Sequence, residues 1–183
     1  MKALFNIFKS NDTLYWMYAK ALYNTQKYRD DTFEASKICE NLWLGGITST
    51  CNHEALKDRN IELIITAVYG ASAIYPFDFN YQSADLKDIE DEELLPEIER
   101  LLPIIDYELR QQRGVLVSCV MGRSRSASII TAYLMKYKNM TLDQALNYVR
   151  ERRSQIDPNP SYLSQLREFE VSLNLERDEK KNV

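Results

Sequence analysis

The feature that most constrains this 183-residue chain is the stretch Gly114–Ala127, GVLVSCVMGRSRSA. A short apolar run, Val115-Leu-Val117, leads to Cys119; six residues later, at Arg125, a mostly apolar helical pattern begins and continues to Tyr137. β-Branched residues preceded by glycine read as a buried strand, and the longer run reads as a helix. A thiol at that strand end faces unpaired N–H groups and the positive end of the helix dipole. Both lower a thiol pKa, and the thiolate is the attacking form of cysteine. The same N–H groups can hold phosphate oxygens. Gly122 lets the loop curl tightly, and Arg125 offers a planar fork for two oxygens. One segment thus unites nucleophile, oxyanion cradle and charge clamp; the plain alternative is a buried structural cysteine at a strand-to-helix turn.

The rest of the chain supplies a scaffold for such a turn. Residues 12–28 carry Leu14, Tyr15, Tyr18, Leu22 and Tyr23 at approximately helical spacing. Asn41-Leu-Trp-Leu44 reads as a strand ended by Gly45-Gly46, a short helix follows over Asn52–Arg59, and Ile61–Val68 reads as a buried strand. An extended stretch near Phe79–Ala84 precedes an acidic loop, Asp85 to Glu93. The next helix has Leu94, Leu95, Ile98, Leu101, Leu102, Ile105 and Leu109 on one side, with a kink or break expected at Pro103. Thr141 and Gln144 have capping-box spacing. Asn159 and Pro160 cap a last helix, with Leu163, Leu166, Phe169 and Leu173 facing inward, and a charged, frayed tail is expected after Glu176. Strands alternating with helices, then consecutive helices, predict an α/β fold with a central sheet.

Composition removes several classes of function. The net charge of −4 lacks the basic excess of a dedicated nucleic-acid binder, so no nucleic-acid partner is expected. Cys39, Cys51 and Cys119 form no CxxC pair, and an odd count argues against a disulfide framework. His53, the single histidine, sits in an expected surface helix; no zinc-ligand spacing is present, so no metal is expected. No apolar run reaches the roughly 18 residues of a membrane span, and Asn6 and Lys9 interrupt the start MKALFNIFKS, unlike a secretory signal. The expectation is an intracellular protein, cytoplasmic or nuclear, with reduced thiols. The sequence assigns no partner to residues 1–32 and no oligomeric state.

Residues 115–135, VLVSCVMGRSRSASIITAYLM, resemble the active-site segment of the dual-specificity phosphatases, small members of the cysteine-dependent protein tyrosine phosphatase superfamily. The likeness extends from about Phe33 to Val171, through Asn41-Leu-Trp-Leu-Gly45 and the closing Asp157-Pro-Asn-Pro160. It implies a mostly parallel twisted sheet flanked by helices over 33–176; the residues outside that domain read, from their own pattern, as an N-terminal helical extension over 1–32 and a charged tail over 177–183. It further implies that Cys119 forms a phosphocysteine intermediate without a cofactor. The amides of Val120, Met121, Gly122, Arg123, Ser124 and Arg125, with the Arg125 guanidinium, would hold the phosphoryl oxygens. Ser126 would help the thiolate leave. Relatives often place a tyrosine seven residues before the proton donor and a leucine six after it; Tyr81 and Leu94 give that frame to Asp88, with Asp85 and Asp91 as alternatives.

The pattern is broken at Ser118, where the family usually has histidine. Serine carries no positive charge, so an elevated Cys119 pKa and a slower enzyme than its relatives are expected. Arg123 stands where many relatives have an apolar residue, as a solvated loop charge or an attraction for acidic substrates. Cys39 and Cys51 are core or loop residues, or a disulfide reserve for Cys119. The resemblance favours a phosphoprotein substrate bearing phosphotyrosine, phosphoserine or phosphothreonine. Two other readings stay open: a weak or inactive phosphoprotein-binding module, and a lipid or nucleic-acid 5′-phosphate phosphatase using the same loop.

Overall fold

The computed structural model describes residues 33–181, with side chains to residue 175, so the expected helix over 12–28 lies outside the described residues. In chain order the elements are β1 (Ala35–Cys39), β2 (Leu42–Gly46), α1 (His53–Asp58), β3 (Ile61–Thr66), β4 (Asn80–Ser83), α2 (Leu95–Arg110), β5 (Gly114–Cys119), α3 (Arg125–Tyr137), α4 (Leu142–Arg152) and α5 (Pro160–Lys181). The sheet order is β1-β2-β5-β3-β4, parallel except for the antiparallel edge strand β1. The fold class is therefore the expected α/β one, with a mostly parallel central sheet.

Alternation along the strands decides the layers. Leu42 and Leu44 of β2, Leu63 and Ile65 of β3, and Val115, Val117 and Cys119 of β5 enter one core. Trp43, Ile64 and Leu116, one residue out of phase, enter another. Helices α2 to α5 cover the first face, where α3 is buried from Arg125 to Met135. The second face is closed by Leu56 of α1, Phe79 and a rim of Phe33, Tyr75 and Tyr81. Cys119 thus ends a central strand on the larger core's side, between the ends of β2 and β3.

Four local differences from the sequence reading have physical causes. β1 lacks a strong apolar pattern because it is an edge strand in which Ile38 alone is buried. Its hairpin to β2 turns at Asn41, whose φ of 61° lies in the left-handed region that asparagine tolerates. β2 takes in Gly45 and Gly46 as its last two residues, so it ends two residues later than Leu44. α2 is one helix across Pro103, whose ring lies on the exposed side, where water can serve the carbonyl that loses its N–H partner. α5 continues to Lys181 because its end, LERDEKK, is built of helix formers. On α5, Leu166, Phe169 and Leu173 are buried as expected; Leu163 is half-buried, and the turn before it buries Tyr162.

The capping box at α4 is complete: Gln144 N–H donates to Thr141 Oγ1 at 3.2 Å, and Thr141 N–H donates to Gln144 Oε1 at 2.9 Å. Thr141→Ala is expected to cost about 1 kcal/mol, read as a lower midpoint in urea with an unchanged m-value.

Candidate active site

The loop from Cys119 to Arg125 closes because two glycines meet back to back. Gly122 has φ +65°, and a Cβ there would lie 2.6 Å from the carbonyl carbon and oxygen of Gly45. A Cβ on Gly46 would stand 3.2 Å from Val120 O, the carbonyl that accepts from Ile47 N–H at 3.3 Å. The glycines of β2 therefore form the seat of the loop. No signal in the Asn-Leu-Trp-Leu-Gly-Gly run reveals this, since the partner lies more than seventy residues away.

Cys119 is 2% exposed, with Arg125 at 3% and Ser126 at 0%. Ser126 Oγ donates to Cys119 Sγ at 3.2 Å. Burial pushes the Cys119 thiol up. The Arg125 guanidinium, the Ser126 hydroxyl and the N–H groups of Ser126 and Arg123 together pull it further down, to a net value below the ordinary 9.0. At the other two cysteines burial outweighs the neighbouring groups that oppose it: it raises Cys39 against nearby lysines and an arginine, and pushes Cys51 up to about 11 despite the Thr50 hydroxyl. All three thiols are free. Ser118 is fully buried, and its hydroxyl donates to Ile65 O at 3.2 Å, away from the thiol. The downward shift thus arises without a histidine.

Ser124 occupies the N-cap position of α3, but its side chain caps no N–H of that helix. Its hydroxyl instead donates to Asp88 Oδ1 at 2.7 Å, which leaves the α3 N-terminus open as an anion seat. Asn159 Nδ2 donates to the same Asp88 oxygen at 2.8 Å, and Asn159 N–H donates to Ser124 Oγ at 3.1 Å. Tyr162 O–H donates to Lys87 O at 2.6 Å, and Arg125 Nη1 donates to Leu86 O at 3.2 Å. Three consecutive residues, Leu86 to Asp88, are thus tied to the cysteine loop and to α5. The alternatives sit elsewhere: Asp85 is exposed and accepts from Ser83 Oγ at 3.1 Å, and Asp91 is exposed.

Val120 is buried, while Met121 is 40% exposed at the rim. Arg123 is half-buried in the loop and held through its side chain. Its Nε donates to Gln155 O at 2.9 Å and its Nη2 lies 3.3 Å from Asp157 Oδ2, so its side chain straps the loop to the segment before α5. Three residues that the sequence reading did not assign to the site join it here: Asn159, Tyr162 and Arg153. Asn159 was legible as a helix cap, and its Oδ1 does accept from Tyr162 N–H at 2.8 Å, but its second bond to Asp88 spans 71 residues. Among the described residues no cluster of His, Cys, Asp and Glu could hold a metal, and no helix is long and apolar enough to cross a membrane.

Iodoacetate titration is expected to alkylate Cys119 with a midpoint below 9.0 and to leave Cys51 untouched at neutral pH. A Cys119 midpoint at or above 9.0, in the folded protein, contradicts the electrostatics described above.

Comparison with known proteins agrees with this geometry. Residues 42–172 match the family model of the dual specificity phosphatase catalytic domain. The chain is 36% identical over 150 residues to dual specificity protein phosphatase 1B of Arabidopsis thaliana, covering 82% of this chain and 90% of that protein. It is 38% identical over 146 residues to dual specificity protein phosphatase 1 of the same plant, covering 80% and 73%. The crystal structure of human DUSP28 superposes with a TM-score of 0.74 at 26% identity, covering 76% of this chain and 95% of that one. A thiol-bearing loop seated between β2 and α3, and a match across most of the chain, make this protein a member of the dual specificity phosphatase family.

Proposed function

We propose that the chain is a protein phosphatase that hydrolyses phosphotyrosine, phosphoserine and phosphothreonine through a phosphocysteine intermediate. The observation that carries the reading is a buried thiol below its ordinary pKa, in the same loop whose Ser124 anchors a carboxylate, Asp88. A nucleophile and a proton donor are both needed to displace an alkoxide or phenoxide, and both belong to one rigid constellation. The names of the plant relatives point to the same class of substrate.

In this reading the N–H groups of the loop and the Arg125 fork bind the three non-bridging phosphoryl oxygens and stabilise the charge that spreads over them in the transition state. The Cys119 thiolate attacks phosphorus as the ester P–O bond breaks, and protonated Asp88 gives its proton to the leaving oxygen. Water then attacks phosphorus, Asp88 carboxylate takes the water proton, and the S–P bond breaks. Ser126 Oγ, 3.2 Å from Sγ, donates to the departing thiolate and makes it a better leaving group. Each step balances on Cys119, Asp88, substrate and water.

Hydrolysis of p-nitrophenyl phosphate with reductant and chelator, from about pH 5 to 8.5, tests the reading. Wild type is expected to turn over and to be inhibited by vanadate, and Cys119→Ser to lose at least about 10³-fold in kcat. Asp88→Asn is expected to lose about 10²-fold, more on phosphoserine peptides than on the aryl ester, whose leaving group needs less protonation. No vanadate-sensitive turnover from folded wild type overturns the proposal. Asn159→Ala leaves Ser124 as the remaining side-chain donor to Asp88. It is expected to depress kcat with the same leaving-group bias, by about tenfold, since it loosens the donor without removing it. An equal loss on both substrates would show that Asn159 acts only through stability.

A further inference from the structure

Arg153 follows the last turn of α4 and is 9% exposed, a rare degree of burial for a guanidinium. Among the described residues its hydrogen bonds all go to neutral oxygens. Nε donates to Gly122 O at 2.7 Å and Nη2 to Met121 O at 3.1 Å; Nη1 donates to Glu34 O at 3.2 Å and to Ser36 Oγ at 3.4 Å. A buried cation requires a compensating charge, and hydrogen bonds to neutral acceptors do not supply one. The negative charges that face it are the exposed Glu34 carboxylate and the Cys119 thiolate.

Peptide planarity gives those bonds a consequence inside the loop. In a trans peptide the carbonyl of one residue and the N–H of the next point in opposite directions. With the carbonyls of Met121 and Gly122 drawn outward to Arg153, the N–H groups of Gly122 and Arg123 turn the other way. For the Arg123 N–H this direction agrees with its share in lowering the Cys119 thiol. We propose that Arg153 is a positioning residue for the phosphate loop: its fork fixes the 121–122 and 122–123 peptides with their N–H groups inward, and its buried charge faces the thiolate from outside the loop.

The groups around this pair come from every neighbouring element. Arg125 and Ser126 of α3 face Cys119 from inside the loop, and the Tyr162 phenol of α5 feels the charges of both Cys119 and Asp88. Glu34, ahead of β1, faces Arg153. Arg125 belongs to the substrate pocket and is partly neutralised once phosphate binds; Arg153 is held behind the loop and keeps its charge throughout. Ser118 adds none, because its hydroxyl is committed to Ile65 O.

The inference deepens the proposed function and rests on that reading for its catalytic meaning, yet its test needs no turnover. In the full chain, Arg153→Gln, Arg153→Lys and a control, Arg152→Gln, are compared by the pH midpoint of iodoacetate alkylation at Cys119 and by vanadate affinity in calorimetry. Arg152 is the control because it makes the same change in net charge while its guanidinium stacks on Tyr148, 3.5 Å from the ring centroid. Arg153→Gln is expected to raise the midpoint by about one pH unit and to weaken vanadate about tenfold. Arg153→Lys keeps the charge but not the fork, so it is expected to raise the midpoint less than Arg153→Gln and still lose vanadate affinity. Arg152→Gln is expected to change neither. A folded Arg153→Gln with wild-type midpoint or wild-type vanadate affinity overturns the proposal. Should the glutamine variant not fold, wild-type vanadate affinity in Arg153→Lys overturns it equally. Absence of phosphatase turnover in wild type would sink the proposed function alone, because alkylation and vanadate binding would still report on Arg153.

Discussion

The loop after β5 can curl back over the end of β2 because Gly45, Gly46 and Gly122 bring bare backbone to the same place. Parallel pairing sets Gly46 opposite Cys119, and Ile47 N–H holds Val120 O, so the chain leaves the sheet already turning. Any side chain at Gly122 would meet the Gly45 carbonyl, and backbone on backbone cannot yield as a flexible side chain does. The tight curl is what lets consecutive N–H groups converge on one small volume. The rest of the site, from the buried thiol to the position of Arg125 at the first turn of α3, follows from that approach.

Convergence of donors has an electrostatic cost that the structure meets from outside. A loop that aims its N–H groups inward must aim carbonyls outward, and a buried carbonyl needs a donor. Arg153 satisfies two of them, and Arg123 binds the same loop to Gln155 and Asp157. Asp157 N–H in turn donates to Arg123 O at 2.9 Å. The segment between α4 and α5 therefore serves as the outer wall of the cup. Its role is invisible to a reading confined to the thiol segment, although it carries much of that segment's hydrogen bonding.

The contrast between what the sequence discloses and what it hides follows from the range of the interactions. Local signals were legible: α3 from Arg125 to Tyr137, the Thr141–Gln144 capping box, and the alternation that buries Val115 and Val117. Asp88, chosen from its Tyr81 and Leu94 frame, is the acidic-loop residue that bonds to Ser124, while the similar Asp85 does not. Contacts between distant segments were not legible. Arg153 is one of three arginines within four residues, and only the packing of α4 against the loop separates it from Arg150 and Arg152. β1 was hidden for another reason: an edge strand buries too little to carry a pattern. Of the kink or break expected at Pro103, the break does not occur: α2 runs through it as one helix, with the proline exposed where the freed carbonyl can reach water.

The ties on Leu86, Lys87 and Asp88 bear on how the site works under the proposed mechanism. A proton donor on a free loop must be ordered at every turnover, and that ordering opposes the transition state. Here Arg125, Tyr162, Ser124 and Asn159 each hold one of those residues without any ligand. Two of the four come from the loop that binds phosphate, so donor and cup move together. Their spacing is then set by folding, not by the substrate. Exposed apolar residues adjoin these ties without belonging to them: Met121 in the loop, Ile89 next to Asp88, and Tyr69, whose ring centroid lies 4.8 Å from Lys87 Nζ. Under the proposed mechanism, a donor and cup fixed by folding are expected to discriminate weakly among phosphorylated side chains and more strongly among the residues that flank them.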